Sequence, residues 1–164
     1  MTLQTENDLD ELDWRILAEL QNNARLSFSE IARRVNSTQP TVTERVRRLE
    51  SSGSIAGYRA EVVRERVGWP IMAFVRLDIQ RYIANQADNA IQAIKEISEC
   101  HRITGDDCFL LKVHATSIEH LDSVIAKLGR YGAPATSIVL ASIAMNQAVQ
   151  NPMFDTPASV KPSS

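Results

Sequence analysis

Along the first fifty positions apolar residues recur at the three- and four-residue spacing of amphipathic helices. Leu12, Ile16, Leu17 and Leu20 mark one helical face, and Asp10, Glu11 and Asp13 place acids at its dipole-positive start. Asn22-Asn23 breaks that run. Ile31, Ala32 and Val35 predict a second, short helix from Glu30 to Val35; Ser27 stands at capping-box spacing before Glu30, with Ser29 as a competing cap. Asn36-Ser37-Thr38 follows as a turn. Val42, Val46 and Leu49 then form the buried stripe of a third helix, with Thr38 as N-cap, Pro40 in the first turn and Gly53 as the stop. Three short helices joined by such a turn predict a helix-turn-helix.

After Gly53, residues 55–60 (Ile55-Ala56-Gly57-Tyr58-Arg59-Ala60) read as a short strand or wing. The stretch from Val62 to Gly68 is charged and weakly patterned, and Gly68-Trp69-Pro70 punctuates it. From Ile71 the period changes to two: Ile71, Ala73, Val75, Leu77 and Ile79 share one face of a strand. Ala87, Ala90, Ile91, Ile94 and Ile97 predict a helix from Ala87 to Glu99. A strand at His101–Thr104, a turn at Gly105-Asp106-Asp107 and a strand from Cys108 to Ala115 come next. Ser117 caps a helix carrying Ile118, Leu121, Val124, Ile125 and Leu128, which Gly129–Pro134 ends. Thr136–Met145 is the last strand.

The expected fold class is therefore α+β, an N-terminal winged helix-turn-helix followed by a ferredoxin-like βαββαβ sandwich. Residues 1–8 are expected to be disordered, 9–60 to form the helix-turn-helix domain, 61–70 a linker, 71–150 the sandwich and 151–164 a disordered tail. A βαββαβ sandwich leaves one sheet face bare. The apolar run Ile138-Val139-Leu140-Ala141 predicts a second sheet against it, hence a homodimer.

Composition sharpens this picture. The 164 residues are 44% hydrophobic but only 5% aromatic, so the cores are expected to be aliphatic. A net charge of −2 argues against coating nucleic acid by bulk electrostatics. Between Arg25 and Arg48, however, six arginines (25, 33, 34, 45, 47, 48) face only Glu30 and Glu44. A local basic patch on a mildly acidic chain fits specific, salt-sensitive binding of double-stranded DNA. Cys100 and Cys108 read as free thiols, and neither a signal peptide nor an apolar run of membrane-spanning length is present; a cytoplasmic protein with no membrane partner is expected.

On the third helix, Thr41, Thr43 and Glu44 are the candidates for base contacts, with Thr38 at the tip and Gln39 nearer the buried side. Glu44 either accepts from a cytosine amino group or pairs with Arg48 one turn on. Arg45, Arg47 and Arg48 are candidates for phosphate contacts, Arg45 alternatively bracing the helices. Cys100, His101, Cys108, His114 and His120 raise the alternative of a metal-sensing regulator, but their spacing matches no close-set ligand motif. A further alternative is an amino-acid-binding regulatory subunit of an enzyme. No catalytic residues are assigned: no nucleophile–base pair, phosphate loop or paired carboxylate is recognisable, so neither an enzyme nor a bound cofactor is expected.

The ordered set Leu9-Asp10, Asp13, Ile16-Leu17, Leu20-Gln21, Arg25-Leu26-Ser27, Glu30-Ile31-Ala32, Arg45-Val46, Leu49-Glu50, Gly53, Ile55-Ala56-Gly57-Tyr58, Gly68 and Thr104-Gly105-Asp106 resembles the Lrp/AsnC (feast/famine) family of transcription regulators, over about residues 9 to 145. The resemblance implies DNA reading by the first domain, and oligomerisation and binding of a small effector, usually an amino acid, by the second. It also implies dimers that often assemble as octamers, and an effector cleft between dimers around Gly105, Asp106, Asp107 and Cys108. By position, Ile118, Ile138 and Leu140 would line its side-chain pocket. The family turn commonly reads Gly-Asp-aromatic-Asp; here Asp107 and Cys108 replace the last two, which leaves the effector unnamed. The implied function is a regulator of amino-acid metabolism or transport.

Overall fold

Side-chain caps set where the first three helices begin. In the computed structural model, which describes residues 9–78, 84–104 and 109–152, helix α1 (Glu11–Asn22) starts at a reciprocal cap. The Asp10 carboxylate accepts from the Asp13 amide at 3.0 Å, and Asp13 accepts from the Asp10 amide at 3.2 Å. Helix α2 (Phe28–Arg34) begins two residues before the predicted Glu30, because Ser27 rather than Ser29 accepts from the Glu30 amide, at 3.2 Å. Helix α3 (Gln39–Ser51) is capped by Thr38, whose hydroxyl accepts from the Thr41 amide at 3.3 Å. Gly53, at φ 76°, takes the left-handed conformation that ends α3. Ile16, Leu20, Ile31, Ala32, Val35, Val42, Val46 and Leu49 form one aliphatic core.

No strand forms at 55–60, contrary to the expected wing. That segment is tied back to α3 instead, by the Ile55 amide on the Leu49 carbonyl (2.9 Å) and by the Tyr58 hydroxyl donating to Glu50 (3.0 Å). Burial and the Glu50 carboxylate push the Tyr58 phenol up to about 12. The described residues group into two units, 9–60 with 144–152 and 61–143. Residues 61–70, read from the sequence as a linker, therefore belong to the second unit and contain a 3-10 turn at Arg64–Val67. The stretch 144–150, expected in the sandwich, is grouped by its contacts with the first. There the Gln21 side chain receives the Val149 amide at 2.6 Å and donates to the Val149 carbonyl at 3.0 Å.

The second unit is a four-stranded antiparallel sheet in the order β2-β3-β1-β4: β1 (Ile71–Asp78), β2 (Ile97–Arg102), β3 (Phe109–Ala115) and β4 (Ala133–Ile138). Helices α4 (Ala84–Gln92) and α5 (Ile118–Leu128) supply the other layer. Ala73, Val75 and Leu77 of β1 and Phe109, Leu111 and Val113 of β3 bury the helix-facing side against Ile91, Leu121, Val124 and Leu128. Strand register puts Met72, Phe74 and Arg76 with Leu110, Lys112 and the buried His114 on the opposite side, away from α4 and α5. Buried Glu96 is held by His120 Nε2 at 3.0 Å. Because the Thr116 amide donates to Nδ1 (3.3 Å), Nε2 carries the proton that Glu96 receives.

Two predicted boundaries move. The helix expected over Ala87–Glu99 ends at Gln92, and the next strand begins at Ile97 rather than His101. Ile91, Ile94 and Ile97 do all reach the core, but from a helix, a turn and a strand in succession; so short an apolar run does not distinguish these. The last strand was expected over Thr136–Met145 and lies at Ala133–Ile138. It starts early because Gly132 passes against β1 so closely that a Cβ there would sit 1.8 Å from the Asp78 carbonyl oxygen. It stops early because its partner strand runs out: Val139 still donates to the Met72 carbonyl at 2.9 Å, but Pro70, before Ile71, has no amide to donate. The apolar run expected to carry a second sheet thus leaves the ladder, with Leu140 97% exposed.

Leu111 lies fully buried at the centre of β3. Leu111→Ala is expected to cost about 2–5 kcal/mol, by lost burial and a residual cavity, measured as a lower urea midpoint of the second unit.

Candidate functional site

The outward face of α3 follows from its buried one. With Val42, Val46 and Leu49 inward, a 100° step per residue puts Pro40, Glu44, Arg47 and Ser51 on the outermost stripe. Gln39 and Thr43 flank it on one side, Thr41, Arg45 and Arg48 on the other. The small N-terminal side chains are bonded locally. Thr43 donates its hydroxyl to the Gln39 carbonyl at 2.8 Å, and the Thr38 and Thr41 hydroxyls lie 2.8 Å apart. Thr43 therefore offers outward only lone pairs and a methyl group.

The arginines divide sharply. Arg45 reaches both Asp13 oxygens, at 3.1 and 3.2 Å, and also pairs with Asp10. Arg48 pairs with Asp13, not with Glu44. Asp13 is fully buried, on the same α1 stripe as Ile16 and Leu20. Arg45 thus takes the bracing role given as its alternative, and Arg48, predicted to hold phosphate, is drawn onto the same carboxylate. Arg47 remains exposed and makes no hydrogen bond or ion pair with any described residue; Glu44 is likewise exposed and unpaired among them. On α2, Arg33 and Arg34 both pair with Glu30, and Arg34 also with Glu19.

The anchor role of Asp13 was missed in the sequence although its signal was there. An acid three residues before Ile16 and seven before Leu20 falls on the apolar face, where only a paired charge is stable.

Of the candidate effector residues, Ile118, Ile138 and Leu140 are described. Gly105, Asp106, Asp107 and Cys108 lie outside the described residues. The strands they connect end at Arg102 and begin at Phe109, opposite Leu77. Ile138 pairs with Ala73, four residues or about 13 Å along β1. Ile118 opens α5 just after β3 ends at Ala115, beside Ile71, and is 55% exposed. Ile118, Ile138 and Leu140 therefore lie towards the end of the sheet away from Phe109. Near Phe109 there is instead an open cleft of about 430 Å³ between α4 and β2, lined by Asp88, Ile91, Ser98, Cys100, Arg102 and Phe109 among others. Arg102 donates to Asp88 at 2.6 Å and lies over the Phe109 ring at 5.4 Å. Burial pushes the Cys100 thiol up, with the Asp88 charge adding to it. Among the described residues no group of three or more His, Cys, Asp or Glu side chains is arranged to hold a metal ion. Strand register sets Cys100 on the helix side of the sheet and His101 on the other. No described helix is long and apolar enough to cross a membrane.

Comparison with known proteins matches both units. Residues 9–50 match the AsnC-type helix-turn-helix domain, and residues 72–153 the Lrp/AsnC ligand binding domain. The HTH-type transcriptional regulator LrpC of Bacillus subtilis is 35% identical over 135 residues, 82% of this chain and 94% of that protein. The solved structure of B. subtilis LrpC superposes with a TM-score of 0.80 over 83% of this chain and 97% of that one, at 34% identity. A feast or famine regulatory protein from Mycobacterium tuberculosis, solved in complex with L-methionine, superposes with a TM-score of 0.78 at 28% identity, over 84% of this chain and 95% of that one.

Asp13→Ala removes half of the α1 cap and the common partner of Arg45 and Arg48. It is expected to lower the stability of the first unit by about 2–4 kcal/mol, read from urea unfolding by Trp14 fluorescence. The pH dependence has a definite sign. The Asp13 amide and then Arg45 hold the Asp10 carboxyl below its ordinary value of 3.8. Its contribution is therefore present above about pH 4 and is lost as pH falls through the lowered value. Asp10→Asn should flatten that part of the acid-unfolding profile.

Proposed function

Because the chain belongs to the Lrp/AsnC family of transcriptional regulators, we propose that it reads specific double-stranded DNA with α3 and responds to an amino acid bound by its second unit. The observation that carries this reading is the outer stripe of α3. Short residues at the N-terminal end and an Arg47 with no partner among the described residues stand on a helix whose orientation is held from behind by Asp13. Thr38, Gln39, Thr41, Thr43 and Glu44 face base edges. Arg47 holds phosphate, while Arg45 and Arg48 act first as braces and meet DNA only through the donors left free beside Asp13.

The second unit supports the assembly half of the proposal. The sheet side away from α4 and α5 carries Met72, Phe74 and Leu110, the kind of surface a second copy covers. The effector site comprises Gly105, Asp106, Asp107 and Cys108 of one chain. Ile118, Ile138 and Leu140, distant from that end of the sheet in the same chain, contribute from another copy. Such a site exists only in the oligomer, a ring of dimers such as an octamer. An amino acid that binds one arrangement of copies better than another shifts the spacing of the DNA-reading units, and thereby promoter affinity. L-methionine, bound to the M. tuberculosis relative, is a reasonable first probe. The genes controlled are those of amino-acid metabolism or transport, in the cytoplasm.

The test is quantitative binding of the purified protein to the DNA upstream of its own gene, at several salt concentrations, with and without single amino acids. Specific, salt-dependent binding shifted by one amino acid is expected; binding no tighter than to competitor DNA, together with no response to any amino acid, would refute the reading. Arg47→Ala should weaken binding to all sequences alike, and should lower the slope of log affinity against log salt by about one.

A further inference from the structure

Glu44 lies at the middle of the outermost stripe of α3, where a reading helix comes nearest to the floor of the major groove. A carboxylate there is repelled by phosphate unless a neighbouring cation neutralises it. Its candidate neutraliser one turn on is Arg48, and the structure commits that guanidinium to buried Asp13. Arg45 is committed to Asp13 and Asp10. Arg47, three residues on, is not bonded to Glu44. The carboxylate therefore faces outward as an acceptor with no partner among the described residues. Beside it, Thr43 has given its only hydroxyl proton to the Gln39 carbonyl, so it too can only accept.

Two adjacent acceptor-only groups select base edges that donate. In the major groove those donors are the amino groups of cytosine and adenine; guanine and thymine offer acceptors there, which a carboxylate repels. We infer that Glu44 is a specificity-determining residue of this protein. It requires a base amino group, cytosine above all, at one fixed position on one strand of each half-site, and it penalises duplexes that place guanine or thymine there. Asp13 positions this reader indirectly, by withholding Arg48 from it. The inference rests on α3 being the DNA-reading helix.

The experiment uses the full chain and a pool of duplexes randomised across the half-site, selected by the parent protein, Glu44→Ala and Glu44→Gln. Glu44 is exposed, so both variants keep the fold. The parent is expected to enrich cytosine at one position by about tenfold or more, within the usual discrimination of a good base contact. Glu44→Ala should erase that preference while binding unrelated duplex DNA more tightly than the parent does. Glu44→Gln, which can donate and accept, should move the preference at that position towards adenine. Specific binding with an unchanged base preference in Glu44→Ala would overturn the inference and leave the regulator reading standing. Absence of any sequence preference in the parent protein would overturn both.

Discussion

The first unit depends on one buried carboxylate. Asp13 sits with no solvent exposure among aliphatic side chains, an environment that disfavours its charge unless partners surround it. It receives the Asp10 amide from its own helix and two guanidinium groups from α3. These bonds link the start of α1 to the middle of α3, and so fix the rotation of α3 about its axis as well as its position. Which residues face outward follows from that rotation. The same pairing sets the charge beside the outer stripe, because Arg45 and Arg48 each engage Asp13 rather than Glu44.

The second unit obeys a different constraint. A layer of two helices covers only one side of a four-stranded sheet, and strand alternation makes the other side partly apolar. Strand length is set by partners rather than by hydrophobicity. Leu140 and Ile143 are as apolar as any core residue, yet lie outside the sheet because a proline, Pro70, immediately precedes β1. The distance between the Phe109 end of the sheet and Ile138 follows from the same ladder.

Much of this was readable before any coordinates. Periodicity located α1, α2, α3, α5, β1 and β3, because each has one buried face and a capping residue or change of period at its start. It failed between Ile91 and Ile97, where three isoleucines at helical spacing span three kinds of structure. It also failed at β4, whose ends depend on Gly132 and Pro70 meeting another strand. At the candidate site, residue types singled out α3 and offered bracing as one role of Arg45, but not the destination of Arg48. Arg45, Arg47 and Arg48 are alike in sequence and differ only in whether Asp13 is within reach. The Gln21–Val149 contact left no local trace in either segment.

That last contact bears on the order in which the molecule assembles. Two hydrogen bonds, each contributing about 0.5–1.5 kcal/mol net, join residues 128 positions apart. Closing so long a loop in an unfolded chain costs more entropy than they return. The Gln21–Val149 pairing therefore forms only once folding of residues 61–143 has shortened the intervening path. Part of the first unit is thus completed only after the second has folded.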